Sequence, residues 1–195
     1  MPCLLLTAAL AIGIGNALNR DVVHIDLVGS ANAPAVVVTQ NDTAVVLFRG
    51  GVSTQNAVEK QLARRGVHRT ELVVDLRIRP KTACALAAEK TVRAEELSEN
   101  TTQKRKSTPA LVEIIRTREG CLVQLTIGGR QFATLSGKVE LEQPVTVQWL
   151  LASPAKPAVV RYQNVLALRR YDWMACGAEP PASLTLHPDG TLKAG

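Results

Sequence analysis

The chain predicts a layered α/β sandwich, and three observations carry that expectation. Residues 35–76 read as strand, strand, helix, strand, an order that lays a helix against a sheet. Residues 110–193 then break into short apolar runs between turn signals, so the second half reads as strands. Hydrophobic residues make up 46% of the 195, yet aromatics only 3%. The core must therefore be built from Val, Leu, Ala and Ile, and β-branched residues favour strand-rich packing over a helical bundle. The length suits one domain with a small extension, read as an apolar segment over 1–20 and a domain over 21–195.

Taken in order, Pro2 to Leu18 is PCLLLTAALAIGIGNAL, apolar and uncharged. It falls short of the ~20 residues of a spanning helix. No Lys or Arg precedes it, so it lacks the basic start of a signal peptide. Gly13, Gly15 and Asn16 weaken it as a soluble helix. Three readings stand: the tail of a transmembrane helix over 3–18 whose start lies upstream, a poor or uncleaved signal sequence, or a core helix. Val22 to Val28 predicts a first strand, and Ala31-Asn32-Ala33-Pro34 a turn.

Ala35 to Thr39 and Ala44 to Phe48 are apolar runs split by Asn41-Asp42, which reads as a hairpin. Gly50-Gly51 ends the second run. Ser53 is placed to cap a helix over Thr54 to Arg65. Val58 and Leu62, four apart, give that helix a narrow apolar face. Gly66 sits just past it, where a left-handed residue is wanted. Leu72 to Leu76 predicts a buried strand. Thr82 to Leu97, rich in Ala and Glu, predicts a second helix. Ser98 to Thr108 predicts an exposed polar loop closed by Pro109.

In the second half, Ala110 to Thr117 predicts a strand and Arg118-Glu119-Gly120 a turn. Cys121 to Ile127 and Gln131 to Leu135 flank Gly128-Gly129, a strong hairpin signal. Ser136-Gly137 reads as a turn. Val145 to Leu151 and Val165 to Leu168 predict strands on either side of a Pro-rich turn at 153–157. Ser183 to His187, Pro188-Asp189-Gly190 and Thr191 to Lys193 predict a terminal hairpin. The strands of 110–151 are expected to form a second layer.

The order of small signals carries a sharper resemblance. They are Val23-His24-Ile25-Asp26-Leu27-Val28-Gly29, Phe48-Arg49-Gly50-Gly51, Arg64-Arg65-Gly66-Val67 and Glu71-Leu72-Val73-Val74-Asp75-Leu76. This resembles the opening of the metallo-β-lactamase-like domain at the C-terminal end of ComEC competence proteins. There an LDVGQGDA segment leads into a hairpin ending in an IDTGG-like turn. A helix and a strand follow, delivering a metal-binding HxHxDH loop. The resemblance implies an αββα sandwich beside a membrane-spanning region, and so a membrane-derived origin for residues 1–20. It also marks the departures. Asp26 and Gly29 stand near the Asp and first Gly of the family segment, with one extra residue between. Arg49 stands where the family has the Asp of its turn. Arg77-Ile78-Arg79-Pro80-Lys81-Thr82 follows the third strand with no His and no Asp. Ala167 to Trp173, ALRRYDW, shows nothing of the family's HHGS-like motif. The resemblance therefore implies a degenerate domain without its metal site.

Inventory of the chemistry agrees. A two-metal hydrolase needs several His and carboxylates converging on one place. His24, His68 and His187 lie in different elements with no ligand spacing. No nucleophile elbow, Walker A loop or G-x-G-x-x-G after a strand occurs. Cys3, Cys84, Cys121 and Cys176 are widely spaced and read as reduced thiols, or as one disulfide outside the membrane. No cofactor and no small-molecule substrate is expected.

Basic residues remain. Net charge is +6, which favours phosphate or anionic lipid without specificity. Arg49, Arg64, Arg65, Arg77, Arg79, Lys81, Lys104, Arg105 and Lys106 are the candidate nucleic-acid contacts, provided they meet on one face. Few aromatics make base stacking a poor mode. The expected role is a non-catalytic domain of a ComEC-like protein of the bacterial cell membrane. It would support or contact DNA, tethered through residues 1–20 or an upstream channel region. A metal-dependent hydrolase or nuclease, and an unrelated membrane-tethered binding module, are the alternatives.

Overall fold

The structure is a computed structural model that describes residues 21–30, 33–140, 148–152, 160–161, 173–175 and 182–194. In chain order its elements are β1 (Val23–Val28), β2 (Ala35–Gln40), β3 (Thr43–Phe48), α1 (Val52–Arg64), β4 (Arg69–Asp75), β5 (Lys90–Arg93), β6 (Thr101–Lys106), β7 (Leu111–Arg116), β8 (Glu119–Ile127), β9 (Arg130–Glu140), β10 (Trp149–Ala152), β11 (Val160–Arg161), β12 (Trp173–Ala175), β13 (Ala182–Leu186) and β14 (Leu192–Ala194). One sheet runs β14-β13-β1-β2-β3-β4-β5, and the other β12-β10-β9-β8-β7-β6, with β11 beside β9.

The two sheets stack face to face. Ile25, Val36, Leu47 and Val74 of the first pack with Ile114, Val123 and Phe132 of the second. The opposite face of the first sheet, with Val37, Val46, Phe48 and Val73, lies under Val58 of α1 and under Leu86. β2 and β3 are thus buried on both faces, which is why they read as unbroken apolar runs rather than alternating ones. Among the described residues α1 is the one α-helix, so the layers seen are helix, sheet, sheet.

The first hairpin, the helix, the buried strand after it and the 121–135 and terminal hairpins all form as the sequence predicts. Gly66 (φ 67°), Gly128 (φ 53°) and Gly129 (φ 74°) take the left-handed conformations expected of them.

Four expectations fail. Thr82 to Leu97 is not a helix. Leu86 is buried beside Val58, Glu89 N–H donates to the Thr70 carbonyl at 3.0 Å, and β5 joins β4 as a parallel edge strand. Only Ala94–Glu96 makes a 3₁₀ turn. Helix propensity, a few tenths of a kcal/mol per residue, is outweighed by those tertiary contacts. Ser98 to Thr108 is not a loop, because Thr101–Lys106 pairs with β7. Its charges suit an edge strand, where they discourage pairing with another chain. Ser53 does not cap the helix, which begins two residues earlier than expected, at Val52, on an extended Gly51 with no side-chain cap. Ser136-Gly137 lies inside β9, where Gly137 (φ 72°) lets the Glu119 backbone of β8 approach closely. The expected helix at 3–18, the turn at 153–157, the strand Val165 to Leu168 and most of Val145 to Leu151 lie outside the described residues.

Candidate functional site

β1 and β3 are each antiparallel to β2 and therefore parallel to one another, and β3, β4 and β5 are parallel neighbours. The carboxyl ends of β1, β3, β4 and β5 thus share one edge of the first sheet. In open α/β sheets that edge is where ligands bind. The loops after β1, β3 and β4, and the start of α1, all meet there. Gly29 (φ 95°) and Gly50 (φ 96°) close on the wholly buried Thr54, and a Cβ on Gly50 would lie 2.5 Å from its Oγ1.

Two of the arginines named from the sequence are held by protein partners at this edge, on opposite faces of the sheet. Arg77 grips Asp75 with Nε–Oδ1 at 2.8 Å and Nη2–Oδ2 at 2.7 Å. Its guanidinium also sits 4.8 Å over the Phe48 ring, and its side chain is 14% exposed. Arg49 points the other way, into the gap between the sheets. It donates through Nε to the Pro34 carbonyl at 2.9 Å and through Nη1 to the Leu135 carbonyl of β9. It therefore ties the two sheets together where the resembling family has a carboxylate.

A third arginine at this mouth went unnoticed in the sequence. Arg116 ends β7 opposite Cys121 of β8, and it follows Val112 and Ile114 on the inward face. That parity, a cation third in a row of buried apolar residues, was the legible signal. Arg116 is buried, and its Nη1 donates to the Gly120 carbonyl at 2.8 Å. Beside it the Cys121 Sγ lies 3.7 Å from the Leu76 carbonyl. Burial pushes that thiol up to about 12, although Arg116 and Arg49 both favour its thiolate. It is inert at neutral pH.

The described residues of this edge do not suit a metal. Guanidinium groups are cationic at any relevant pH and cannot ligate a dication. Asp75 is held by Arg77, and no group of three or more His, Cys, Asp or Glu converges among the described residues. His24 bonds Thr185 instead, with Nδ1–Oγ1 at 3.2 Å. Cys84 and Cys121 are free thiols.

The remaining cations are dispersed. Arg65 lies on the helix side, paired with the buried Asp26. Arg64 is exposed at the end of α1, which runs back to the amino end of β4. Arg79 and Lys81 are exposed on the loop after β4. Lys104, Arg105 and Lys106 lie on β6, whose far end is pinned near the start of β4 by Thr108 Oγ1 bonding Glu71 at 2.6 Å. Lys104 reaches Glu113 at 3.4 Å, and Arg105 donates to Gln103 Oε1 at 2.8 Å. The nine candidates therefore do not form one surface. Arg79 and Lys81 share the carboxyl edge with Arg49 and Arg77, while Arg64 and the β6 cations lie toward the opposite one. A shallow groove of about 680 Å³ also opens at that opposite edge, between Leu62 and Ala63 of α1 and the stretch Ala85–Glu89. No helix among the described residues is long and apolar enough to cross a membrane.

No family model matches the chain, and no curated protein matches it. Solved structures similar to it include two metallo-β-lactamase fold proteins. YhfI from Bacillus subtilis has a TM-score of 0.44 at 9% identity, over 67% of this chain and 70% of that one. MEM-A1, a subclass B3 metallo-β-lactamase from a soil metagenome, has a TM-score of 0.41 at 8% identity, over 70% and 77%. A protein of unknown function from Enterococcus faecalis has a TM-score of 0.37 at 10% identity, over 67% and 49%. These likenesses concern the fold alone.

Proposed function

We propose that this chain is a non-catalytic domain, of metallo-β-lactamase-like architecture, of a ComEC-like membrane protein for DNA uptake, where it supports or contacts DNA. The observation that carries its non-catalytic character is the pair of guanidinium groups at the carboxyl edge. Arg49 bridges two backbone carbonyls across the sheets, and Arg77 neutralises Asp75. Both act as struts in the place where a hydrolase of this architecture would gather imidazoles and carboxylates. The order β1, β2, β3, α1, β4, with the loops after β1, β3 and β4 on one edge, supports the family resemblance drawn from the sequence.

The DNA contact falls to the exposed cations, Arg79 and Lys81 on the carboxyl edge first. Arg49, Arg65 and Arg77 are committed to carbonyls and carboxylates of the protein itself. Metal analysis of the purified protein, together with DNA binding measured over a salt series, tests the reading. The expected results are no stoichiometric zinc or manganese, no nuclease activity with either, and weak binding that falls steeply with salt. One or more tightly bound ions per chain would overturn the non-catalytic half. Undetectable or salt-independent binding would overturn the DNA half.

A further inference from the structure

We infer that the mouth between the two sheets, around Arg116 and Arg49, binds a small oxyanion of the phosphate class. This goes beyond the DNA-contact reading, because the group that carries it is buried and lies out of reach of a duplex backbone.

Arg116 is only 6% exposed. Its Nη1 and Nη2 donate to the Gly120 and Arg118 carbonyls at 2.8 and 3.3 Å. Its Nε–H is buried and has no acceptor. Among the described residues no carboxylate lies within ion-pair distance of it. A buried cation with only carbonyl dipoles around it is costly unless an anion accompanies it, and a buried donor without a partner marks a place where an ion or water belongs.

The neighbourhood adds positive charge. Arg49 enters the gap from β3 and donates to the carbonyl of Leu135, the residue next to Ser136, which pairs with Cys121, and Cys121 pairs in turn with Arg116. The one acidic group at the end of β4, Asp75, is already gripped by Arg77 on the other face of the sheet. Two guanidinium groups facing one gap suit an anion with several oxygens and more than one charge. One oxygen accepts from Arg116 Nε, and the rest lie in the field of Arg49. Arginine's planar fork is suited to such oxyanions.

The test uses the full chain and inorganic phosphate as the probe. Thermal midpoints are compared in phosphate and in chloride at matched pH and ionic strength, and phosphate is titrated calorimetrically. Phosphate is expected to raise the midpoint saturably while chloride does not, as for any ligand of the native state alone. Arg116→Gln should weaken phosphate binding about tenfold or more, the loss expected for a hydrogen bond to a charged group, whereas Lys104→Gln on β6 should leave it unchanged. Should Arg116→Gln fail to fold, the phosphate-against-chloride comparison on the unaltered chain decides by itself. Equal midpoints in the two salts, or unchanged affinity in a folded Arg116→Gln, would overturn the site. Competition by an oligonucleotide carrying a 5′-phosphate, but not by its 5′-hydroxyl twin, would support the site and assign it to a nucleic-acid terminus. Phosphate binding with no competition from either would support it and assign it to a free oxyanion. Phosphate binding without salt-sensitive DNA binding leaves this site standing and removes the DNA role; the reverse result does the opposite.

Discussion

Arg65 closes on Asp26 from the end of α1, with Nε–Oδ2 at 2.9 Å and Nη2–Oδ1 at 2.7 Å. The carboxylate is wholly buried and also accepts from Gln61 at 2.9 Å and from Ser183 at 2.6 Å. One side chain of β1 thereby joins the helix to the terminal hairpin. Arg65→Ala leaves a buried carboxylate without its counter-ion, so a loss of about 3–5 kcal/mol in urea unfolding is expected. Ser183→Ala removes one neutral donor and should cost about 1 kcal/mol. A smaller loss for Arg65→Ala than for Ser183→Ala would show that the pair contributes little.

The same carboxylate fixes an acid limit. Burial alone would raise its pKa, but hydrogen bonds from Arg65, Ser183 and Gln61 outweigh it and hold the group below its ordinary value of 3.8. A depressed carboxylate stabilises the fold fully above its unfolded value and loses that contribution as pH falls through the folded one. Stability should therefore fall as pH drops below about 4, and Asp26→Asn should flatten that part of the profile.

His24 acts in a higher window with the same sign. Burial first, and then the Arg65 charge, lower its pKa from 6.5. The neutral ring is preferred in the folded state, so its contribution is complete above pH 6.5 and diminishes as pH falls through the lowered value. Chemical denaturation between pH 7.5 and 5 (a window set by the histidine range) should show a decline that His24→Asn reduces. An identical slope in the variant would remove His24 as the cause.

Gly50→Ala tests the packing of the carboxyl edge. The new Cβ would meet Thr54 Oγ1 at 2.5 Å while the backbone sits at φ 96°. The backbone conformation by itself costs about 1–3 kcal/mol for a residue with a side chain, and the clash adds to it. Thr54→Ala should remove the contact with Oγ1 but neither the 3.0 Å approach to the Thr54 Cβ nor the backbone cost. The double variant should thus recover part, not all, of the stability lost by Gly50→Ala, as read from unfolding midpoints in a double-mutant cycle.

Arg77 and Arg79 should separate. Arg79→Ala removes an exposed cation and is expected to weaken DNA binding and reduce the salt slope by about one unit, with little effect on stability. Arg77→Ala strands the buried Asp75 and should mainly lower stability. Equal effects of the two on DNA binding, measured with folded protein, would show Arg77 to be accessible after all.

The strands of the core were legible because burial leaves a direct mark on local pattern. Val36 to Val38 and Val45 to Leu47 are apolar on both faces of the sheet, and Gly66 and Gly128-Gly129 stand where only a left-handed backbone turns the chain. By itself the sequence also determined which side chains the carboxyl edge would offer, among them arginines at 49 and 77. Tertiary structure decided the rest. The stretch 82–97 became an extended run and an edge strand because the open edge of β4 and the apolar surface around Val58 offered it partners that no local preference encodes. The cations near in sequence were separated because a charge has no pattern of its own and its partner is chosen by distance in space. Arg65 met Asp26, 39 residues away in the chain, Arg77 met its neighbour Asp75, and Arg116 was turned inward by strand parity with no carboxylate of the described residues at ion-pair distance.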